Sequence, residues 1–150
     1  MALFYLDTSA LVKLYVREPG TDKMLHLASR EHNHRLAILI IAEVEFRSAV
    51  RRRKRSADLE SSTANELIRR FENHLETRFL RQALSKPVLD TAKALIHDYA
   101  LRAYDAVQLV GCLVLRMAEP TAEPAFVCSD RELLETAILL KLSTLDPPSS

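Results

Sequence analysis

The sequence predicts an α/β fold: a single-domain α/β/α sandwich with a central parallel sheet. Short apolar runs alternate with longer segments of helical periodicity, which is the pattern of a parallel sheet covered on both faces. The chain has 150 residues, enough for one domain with a substantial core. Only two glycines occur and neither lies in a phosphate-binding loop, which argues against a P-loop or dinucleotide-binding fold.

The first half of the chain predicts two strands and four helices. The run LFYL at residues 3–6 is short and apolar with two aromatic residues, as in a buried strand. Thr8 and Ser9 are natural N-caps for a helix that begins near Ala10. The next expected elements are a helix over 21–30, a strand over 36–41 that is apolar enough to be buried on both faces, a helix over 42–55 and a helix over 63–77.

The second half predicts the same alternation. Residues 79–84 form a short strand, Pro87 opens a helix, and residues 104–117 form a central helix rich in Ala, Val and Leu. A strand over 125–128 follows, and the spacing of Ser129 and Glu132 predicts a capping box for a helix that reaches about Lys141. Residues 142–145 are a weak last strand. The domain is expected over residues 1–147, with a disordered tail at 148–150.

Charge and cysteine content indicate the cellular compartment of the protein but do not identify its binding partners. The 21 basic and 20 acidic residues give a net charge of +1, which indicates neither nucleic-acid binding nor its absence. Cys112 and Cys128 lie in apolar contexts without metal-ligand spacing, so buried thiols are expected, and a single disulfide is the alternative. Without signal-peptide features or an apolar run of roughly 20 residues, we expect a cytoplasmic protein with no membrane partner.

Acidic residues follow the predicted strands. Asp7 follows the first strand, Glu43 the second and Asp130 the strand at 125–128, while Asp105 lies in the first turn of the central helix. In a parallel sheet with right-handed crossovers these positions share one edge, where open α/β folds bind ligands. Four carboxylates there would repel one another without a cation, and Mg²⁺ or Mn²⁺ prefers such oxygen ligands. Singly, each acid has another interpretation as a helix cap or a helix-dipole partner.

Other acids compete for two of these positions. Glu45 lies two residues beyond Glu43, which turns it to another face of the helix, so Glu43 is preferred. Asp90 is interpreted as a helix-start residue and Asp98 as a surface acid, which leaves Asp105 as the third member of the set.

Four segments, in order, resemble the acidic motifs of the PIN-domain family, and most closely its VapC-type toxin ribonucleases: LFYLDTSALVKLY, IIAEVEFRSAV, LRAYDAVQLVGCLVL and FVCSDRELLETA. The resemblance extends from Leu3 to about Pro147. It implies that the catalytic and metal-binding acids are Asp7, Glu43, Asp105 and Asp130. Ser9, with Thr8 beside it, falls where the family keeps a small hydroxyl residue that supports the first acid.

Three departures from the family pattern do not affect the acids. Gln108 stands where many relatives have histidine, and the loop at 118–124 is longer and richer in proline than usual. Lys141 and Leu142 lack the glycine commonly seen before the last strand, so the alignment is least secure beyond Leu140.

The resemblance implies a Mg²⁺- or Mn²⁺-dependent endoribonuclease toxin of a type II toxin–antitoxin module, in which a metal-activated water hydrolyses tRNA or rRNA. It also implies a homodimer and a cognate VapB-type antitoxin. Leu11, Leu14, Tyr15 and Leu27 are candidates either for the partner groove or for the core. The candidate RNA contacts are Arg47, Arg51, Arg102 and Arg131, and the alternative for the basic run at 51–55 is a solvated helix end.

Two other functions are weighed against this one. A catalytically inactive PIN-like domain would bind RNA or a protein without cutting, but all four acids are present. A phosphatase of the haloacid dehalogenase type also ends its first strand on aspartate, but it needs an Asp-x-Asp pair. Here Asp7 is followed by Thr8 and Ser9.

Overall fold

The computed structural model describes residues 2–56 and 58–148, so most of the predicted tail, 149–150, lies outside the described residues. Within those ranges, parallel strands form one sheet in the order β3-β2-β1-β4-β5. The strands are β1 (Leu3–Leu6), β2 (Arg35–Leu39), β3 (Phe79–Gln82), β4 (Ala125–Val127) and β5 (Ser143–Leu145). The α/β prediction is therefore confirmed.

Helices connect the strands and cover both faces of the sheet. They are α1 (Thr8–Val12), α2 (Thr21–Ala28), α3 (Ala42–Arg55), α4 (Ser61–His74), α5 (Lys86–Asp98), α6 (Ala103–Ala118) and α7 (Arg131–Leu139). A short 3-10 turn at Arg30–His32 precedes β2. In the part of the chain that the structure describes, no helix has both the length and the apolar character needed to cross a membrane.

The central strand, β1, determines where a ligand site can form. It pairs with β2 on one side, where Phe4 lies opposite Leu36, and with β4 on the other, where Phe4 lies opposite Ala125. The chain leaves β1 toward the β2 side and later returns to the β4 side. The carboxyl ends of β1 and β4 thus flank a topological switch point, the place where open α/β sheets bind ligands.

Two hydrophobic cores lie on opposite faces of the sheet because the side chains of β1 alternate. Leu6 packs with Phe46 and Phe71 under α1, α3 and α4. Tyr5 packs with Phe126, in a stacked arrangement, under α6 and α7. Both cysteines belong to the second core, where they are free and buried, as predicted.

The side chains considered for a partner groove contribute to the first core. Leu11 is fully buried there, and Leu14, Tyr15 and Leu27 pack against it with partial exposure. The structure therefore favours the core interpretation for Leu11, while the other three present part of their surface to solvent.

The predicted elements are present, with shifts at their ends. The bounds of β1 and α3 agree with the prediction. Helix α1 begins at Thr8, earlier than predicted, because the Asp7 carboxylate caps it. Helix α7 begins at Arg131 because Asp130, and not Ser129, is its cap, accepting a hydrogen bond from Leu133 N at 3.3 Å.

Candidate active site

A cleft of about 750 Å³ opens at the carboxyl edge of the sheet, beside the switch point. Residues of α1, α3 and α6 and the turn between β4 and α7 line it. Three of the four predicted acids, Asp7, Asp105 and Asp130, lie in its wall. Because these acids are far apart in the chain, only the parallel order of the strands brings them together.

Asp7 is the most buried of these acids, with 7% of its surface exposed. Its Oδ1 accepts hydrogen bonds from Ser9 Oγ at 2.6 Å and Ala10 N at 3.0 Å. Burial raises the pKa of Asp7, the contacts with Ser9, Cys128 and Ala10 oppose that rise, and the charge of Glu45 adds to it. Asp7 therefore caps α1 and lines the cleft at the same time.

Ser9 connects Asp7 to the turn that follows β4. Its hydroxyl donates to Asp7 Oδ1 and accepts from Ser129 N at 3.1 Å. A second connection runs through the backbone, since Asp7 N donates to Val127 O at 3.1 Å. The positions of Asp7 and of the turn that carries Asp130 are thereby coupled.

The structure corrects the predicted placement of the second acid. Glu45, not Glu43, lines the cleft, and the Glu43 carboxylate lies 3.9 Å from Arg81 Nη1 on β3. The buried stripe of α3 runs through Ala42, Phe46, Ala49 and Val50, and the two glutamates flank it on opposite sides. Sequence spacing shows that they diverge but not which flank faces the cleft.

Glu45 is held by hydrogen bonds from two elements. Thr8 Oγ1, on α1, donates to Glu45 Oε1 at 2.9 Å. Gln108 Nε2, on α6, donates to the same oxygen at 2.7 Å and approaches Thr8 Oγ1 at 3.3 Å. Thr8, predicted as a support for the first acid, thus supports the glutamate.

Asp105 and Asp130 both line the cleft. Asp105 lies in the first turn of α6, and its pKa is raised by burial and by the negative charge of Asp130, against an opposing effect of Arg102. The same three residues also line an adjoining pocket of about 290 Å³. Mutual repulsion between two carboxylates is the electrostatic state that a cation relieves.

Basic side chains form part of the wall beside the acids. Lys13 is buried, and its Nζ lies 3.3 Å from Glu18 Oε1. Arg53 Nε donates to the other oxygen of Glu18 at 3.1 Å. Neighbouring Arg52 lines the same wall.

Of the predicted RNA contacts, Arg102 lies in the cleft wall. Arg51 donates to Asn65 Oδ1 at 2.9 Å, and Arg47 lies 3.6 Å from Glu72, so both point toward α4. Arg131 is exposed at the first position of α7. Sequence reasoning missed Lys13 as a cleft residue and left open whether the run at 51–55, which includes Arg52 and Arg53, contacts RNA. The orientation of these side chains depends on how α1 and α3 are rotated about their axes.

The acids suit a hydrated divalent cation better than an all-protein cage. Their donors are carboxylate oxygens, the ligands that Mg²⁺ and Mn²⁺ prefer. Within residues 2–56 and 58–148, no three His, Cys, Asp or Glu side chains are grouped closely enough to hold a metal by themselves. Magnesium commonly binds through one or two carboxylates and keeps several waters, which fits this wider arrangement.

Comparison with known proteins agrees with the geometry. The family model for the PIN domain matches residues 4–142. Ribonuclease VapC46 of Mycobacterium tuberculosis is 36% identical over 109 residues, 73% of each protein.

Solved structures share the fold at low sequence identity. A toxin–antitoxin complex from Klebsiella pneumoniae contains a chain with a TM-score of 0.65 and 17% identity, with 98% of both chains covered. FitAcB from Neisseria gonorrhoeae gives a TM-score of 0.65 at 16% identity and covers 98% of this chain and 99% of that one. On the family match and the sequence identity together, this chain belongs to the PIN-domain family.

Proposed function

We propose that the protein is a divalent-metal-dependent endoribonuclease, the VapC-type toxin of a toxin–antitoxin pair, acting on tRNA or rRNA in the cytoplasm. The observation that carries the proposal is the convergence of four carboxylates on one cleft whose wall also holds basic side chains. The name of the Mycobacterium tuberculosis relative, a ribonuclease, supports the same activity.

Asp7, Glu45, Asp105 and Asp130 would hold Mg²⁺ or Mn²⁺, directly or through water. Such an ion lowers the pKa of a bound water and stabilises negative charge on a phosphate undergoing hydrolysis. This set contains Glu45 in place of Glu43 because Glu45 lines the cleft and Glu43 does not.

The chain's own residues fix the geometry of the acids and bind the substrate. Ser9 and the Ala10 backbone hold Asp7 in one orientation, which avoids the cost of ordering it when the site is filled. Arg52 and Arg102 give the cleft wall positive charge for the RNA backbone, whereas Lys13 and Arg53 are paired with Glu18. Contacts of this kind position a nucleic acid without reading its sequence.

A cleavage assay with labelled tRNA and rRNA tests the proposal. We expect cleavage with Mg²⁺ or Mn²⁺ and none with EDTA. Asp7→Asn should reduce the rate by at least about 100-fold. Loss of a residue that only supports a metal ligand already costs up to about 100-fold, and Asp7 is proposed as a ligand itself. Asp90→Asn is the matched control, because Asp90 lies on α5 and pairs with Lys86 at 3.1 Å.

Two results would contradict the nuclease proposal. One is RNA cleavage that persists in EDTA, and the other is an Asp7→Asn protein as active as wild type. Hydrolysis of small phosphomonoesters without cleavage of RNA would indicate phosphatase chemistry.

We also propose that the protein forms a homodimer and binds a VapB-type antitoxin. The antitoxin is supported by the solved structures with this fold, which include a toxin–antitoxin complex and VapBC2 from Rickettsia felis, the latter with a TM-score of 0.62 at 14% identity. The homodimer is proposed from the resemblance to VapC-type toxins. Light scattering of the purified protein, alone and co-expressed with a neighbouring small reading frame, tests both. A monomer with no co-purifying chain would contradict them.

A further inference from the structure

Gln108 is a polar side chain in an otherwise apolar stretch of α6, and 3% of its surface is exposed. Its Oε1 accepts a hydrogen bond from Tyr5 Oη at 2.9 Å. Its Nε2 donates to Glu45 Oε1 at 2.7 Å. The amide thereby connects the centre of the second core to an acid of the cleft. Gln108 is 103 positions from Tyr5 and 63 positions from Glu45 in the chain.

The hydroxyl of Tyr5 determines which way the amide of Gln108 points. Tyr5 is fully buried, and its phenol donates its hydrogen bond to Gln108 Oε1 at 2.9 Å. A phenol that donates requires the carbonyl oxygen of the amide on its side. The amide N–H groups then face Glu45 and Thr8, as the distances show.

Gly111, one turn along α6, makes room for this arrangement. A Cβ at position 111 would lie 2.9 Å from Tyr5 Cζ and closer still to the hydroxyl. A side chain there would displace Tyr5 from Gln108. This is a second feature of α6, independent of the hydrogen bonds, that permits the same contact.

We infer that Gln108, oriented by Tyr5, is a positioning residue for the Glu45 carboxylate. With Thr8, it places two hydrogen bonds on Glu45 Oε1 and so directs Oε2 toward a cation or its bound water. A glutamate at position 108 could accept from Tyr5 but would oppose Glu45 with a like charge, so the neutral amide suits both neighbours. The inference rests on the proposed metal-dependent function of the cleft.

The test compares Tyr5→Phe and Gln108→Met with the control Tyr15→Phe. Each phenylalanine variant removes one hydroxyl and its hydrogen bond. The Tyr15 hydroxyl is bonded to His74 Nδ1 at 2.7 Å beside the first core, so its loss does not affect Gln108. Two quantities are measured: Mn²⁺ binding to the RNA-free protein by calorimetry, and the Mg²⁺ concentration for half-maximal RNA cleavage. Thermal unfolding reports the stability of every variant.

We expect Gln108→Met to weaken Mn²⁺ binding by about 10–100-fold, the usual effect of losing a residue that orients a metal ligand. Tyr5→Phe should weaken it in the same direction, because the amide is then free to rotate. Tyr15→Phe should bind Mn²⁺ as tightly as wild type does, although its loss of thermal stability should be similar to that of Tyr5→Phe. If Gln108→Met does not fold, Tyr5→Phe against Tyr15→Phe still decides the question.

The failure of this inference is distinguishable from the failure of the proposed function. If wild-type protein neither binds Mn²⁺ nor cleaves RNA, the proposed function is wrong. If wild type does both and Gln108→Met matches Tyr15→Phe in Mn²⁺ binding, the positioning role of Gln108 is wrong. If only Tyr5→Phe matches Tyr15→Phe, the role of Tyr5 in orienting the amide is wrong.

Discussion

Glu43 and Glu45 have the same side chain on the same helix but different surroundings. Glu45 accepts hydrogen bonds from Thr8 and Gln108 at the cleft, whereas Glu43 lies beside Arg81 of β3. A carboxylate held by two donors is already oriented for a ligand, and one in a loose, half-exposed ion pair contributes little to stability. The pair is therefore a natural matched comparison.

Glu45→Gln should reduce metal-dependent RNA cleavage about 10–100-fold, because the change removes the negative charge and keeps the shape. Glu43→Gln should leave the rate within about twofold of wild type. Initial rates at saturating Mg²⁺ provide the measurement, with thermal unfolding to verify that both variants fold. Equal losses in the two variants would refute the assignment of Glu45.

At this scale, three of the four acids predicted from the sequence line the cleft, and Glu43 lies outside it. Asp7, Asp105 and Asp130 each follow a strand or open a helix, and that position alone brings them to the carboxyl edge. The choice between Glu43 and Glu45 depends on which flank of α3 faces α1 and α6. Contacts between distant segments fix that rotation, and local periodicity does not contain them.

At the scale of elements, the end of α7 explains how the chain lacks a glycine before its last strand. Lys141 adopts a left-handed conformation with φ of 63°. Leu142 N donates to Ala137 O at 3.0 Å and Lys141 N donates to Ile138 O at 2.9 Å, the hydrogen bonds of a Schellman motif. The turn normally made by glycine is therefore present, with a lysine at its strained position.

Replacing Lys141 by glycine should stabilise the protein. A non-glycine residue in the left-handed region costs about 1–2 kcal/mol, which glycine avoids. Part of this stabilisation is offset because glycine loses more conformational entropy on folding. We expect a net gain of about 0.5–1 kcal/mol, or roughly 1–4 °C in Tm by circular dichroism. Lys141→Ala, which keeps the strain, is the control, and an equal gain with alanine would exclude backbone strain as the cause.

The elements themselves were predictable to within a few residues because their signals are local. Apolar runs marked the strands, and the apolar stripe of α3 marked the full length of that helix. The predicted helix starts are wrong at caps such as Asp7 and Asp130. Each of these residues follows a strand, and its carboxylate caps the next helix. Caps are decided by side-chain hydrogen bonds, which a pattern of apolar residues does not specify.

For the molecule as a whole, the distribution of charge matters more than its sum. A net charge of +1 gave no indication of a nucleic-acid partner. The fold nevertheless collects Lys13, Arg52, Arg53 and Arg102 in the wall of one cleft. Arg51, adjacent to Arg52 in sequence, instead donates to Asn65 on α4.

This arrangement predicts different roles for two neighbouring arginines. In an Asp7→Asn background that prevents cleavage, Arg52→Gln should weaken RNA binding and reduce the slope of log K against log salt by about 0.7, the value for one phosphate contact on a single strand. Arg51→Gln should change neither quantity. Fluorescence anisotropy at salt concentrations from about 50 to 200 mM measures the RNA affinity and its salt dependence. A slope altered by Arg51→Gln and not by Arg52→Gln would reverse the assignment.

The strand order also has a consequence for biosynthesis. Central β1 obtains its β4 neighbour from residues 125–127, and the turn that follows carries Asp130. A nascent chain that has not yet exposed this region lacks one wall of the cleft and leaves an edge of β1 uncovered. Under the proposed function, cleavage would therefore require the chain to have left the ribosome at least as far as Asp130 and to have folded against β1.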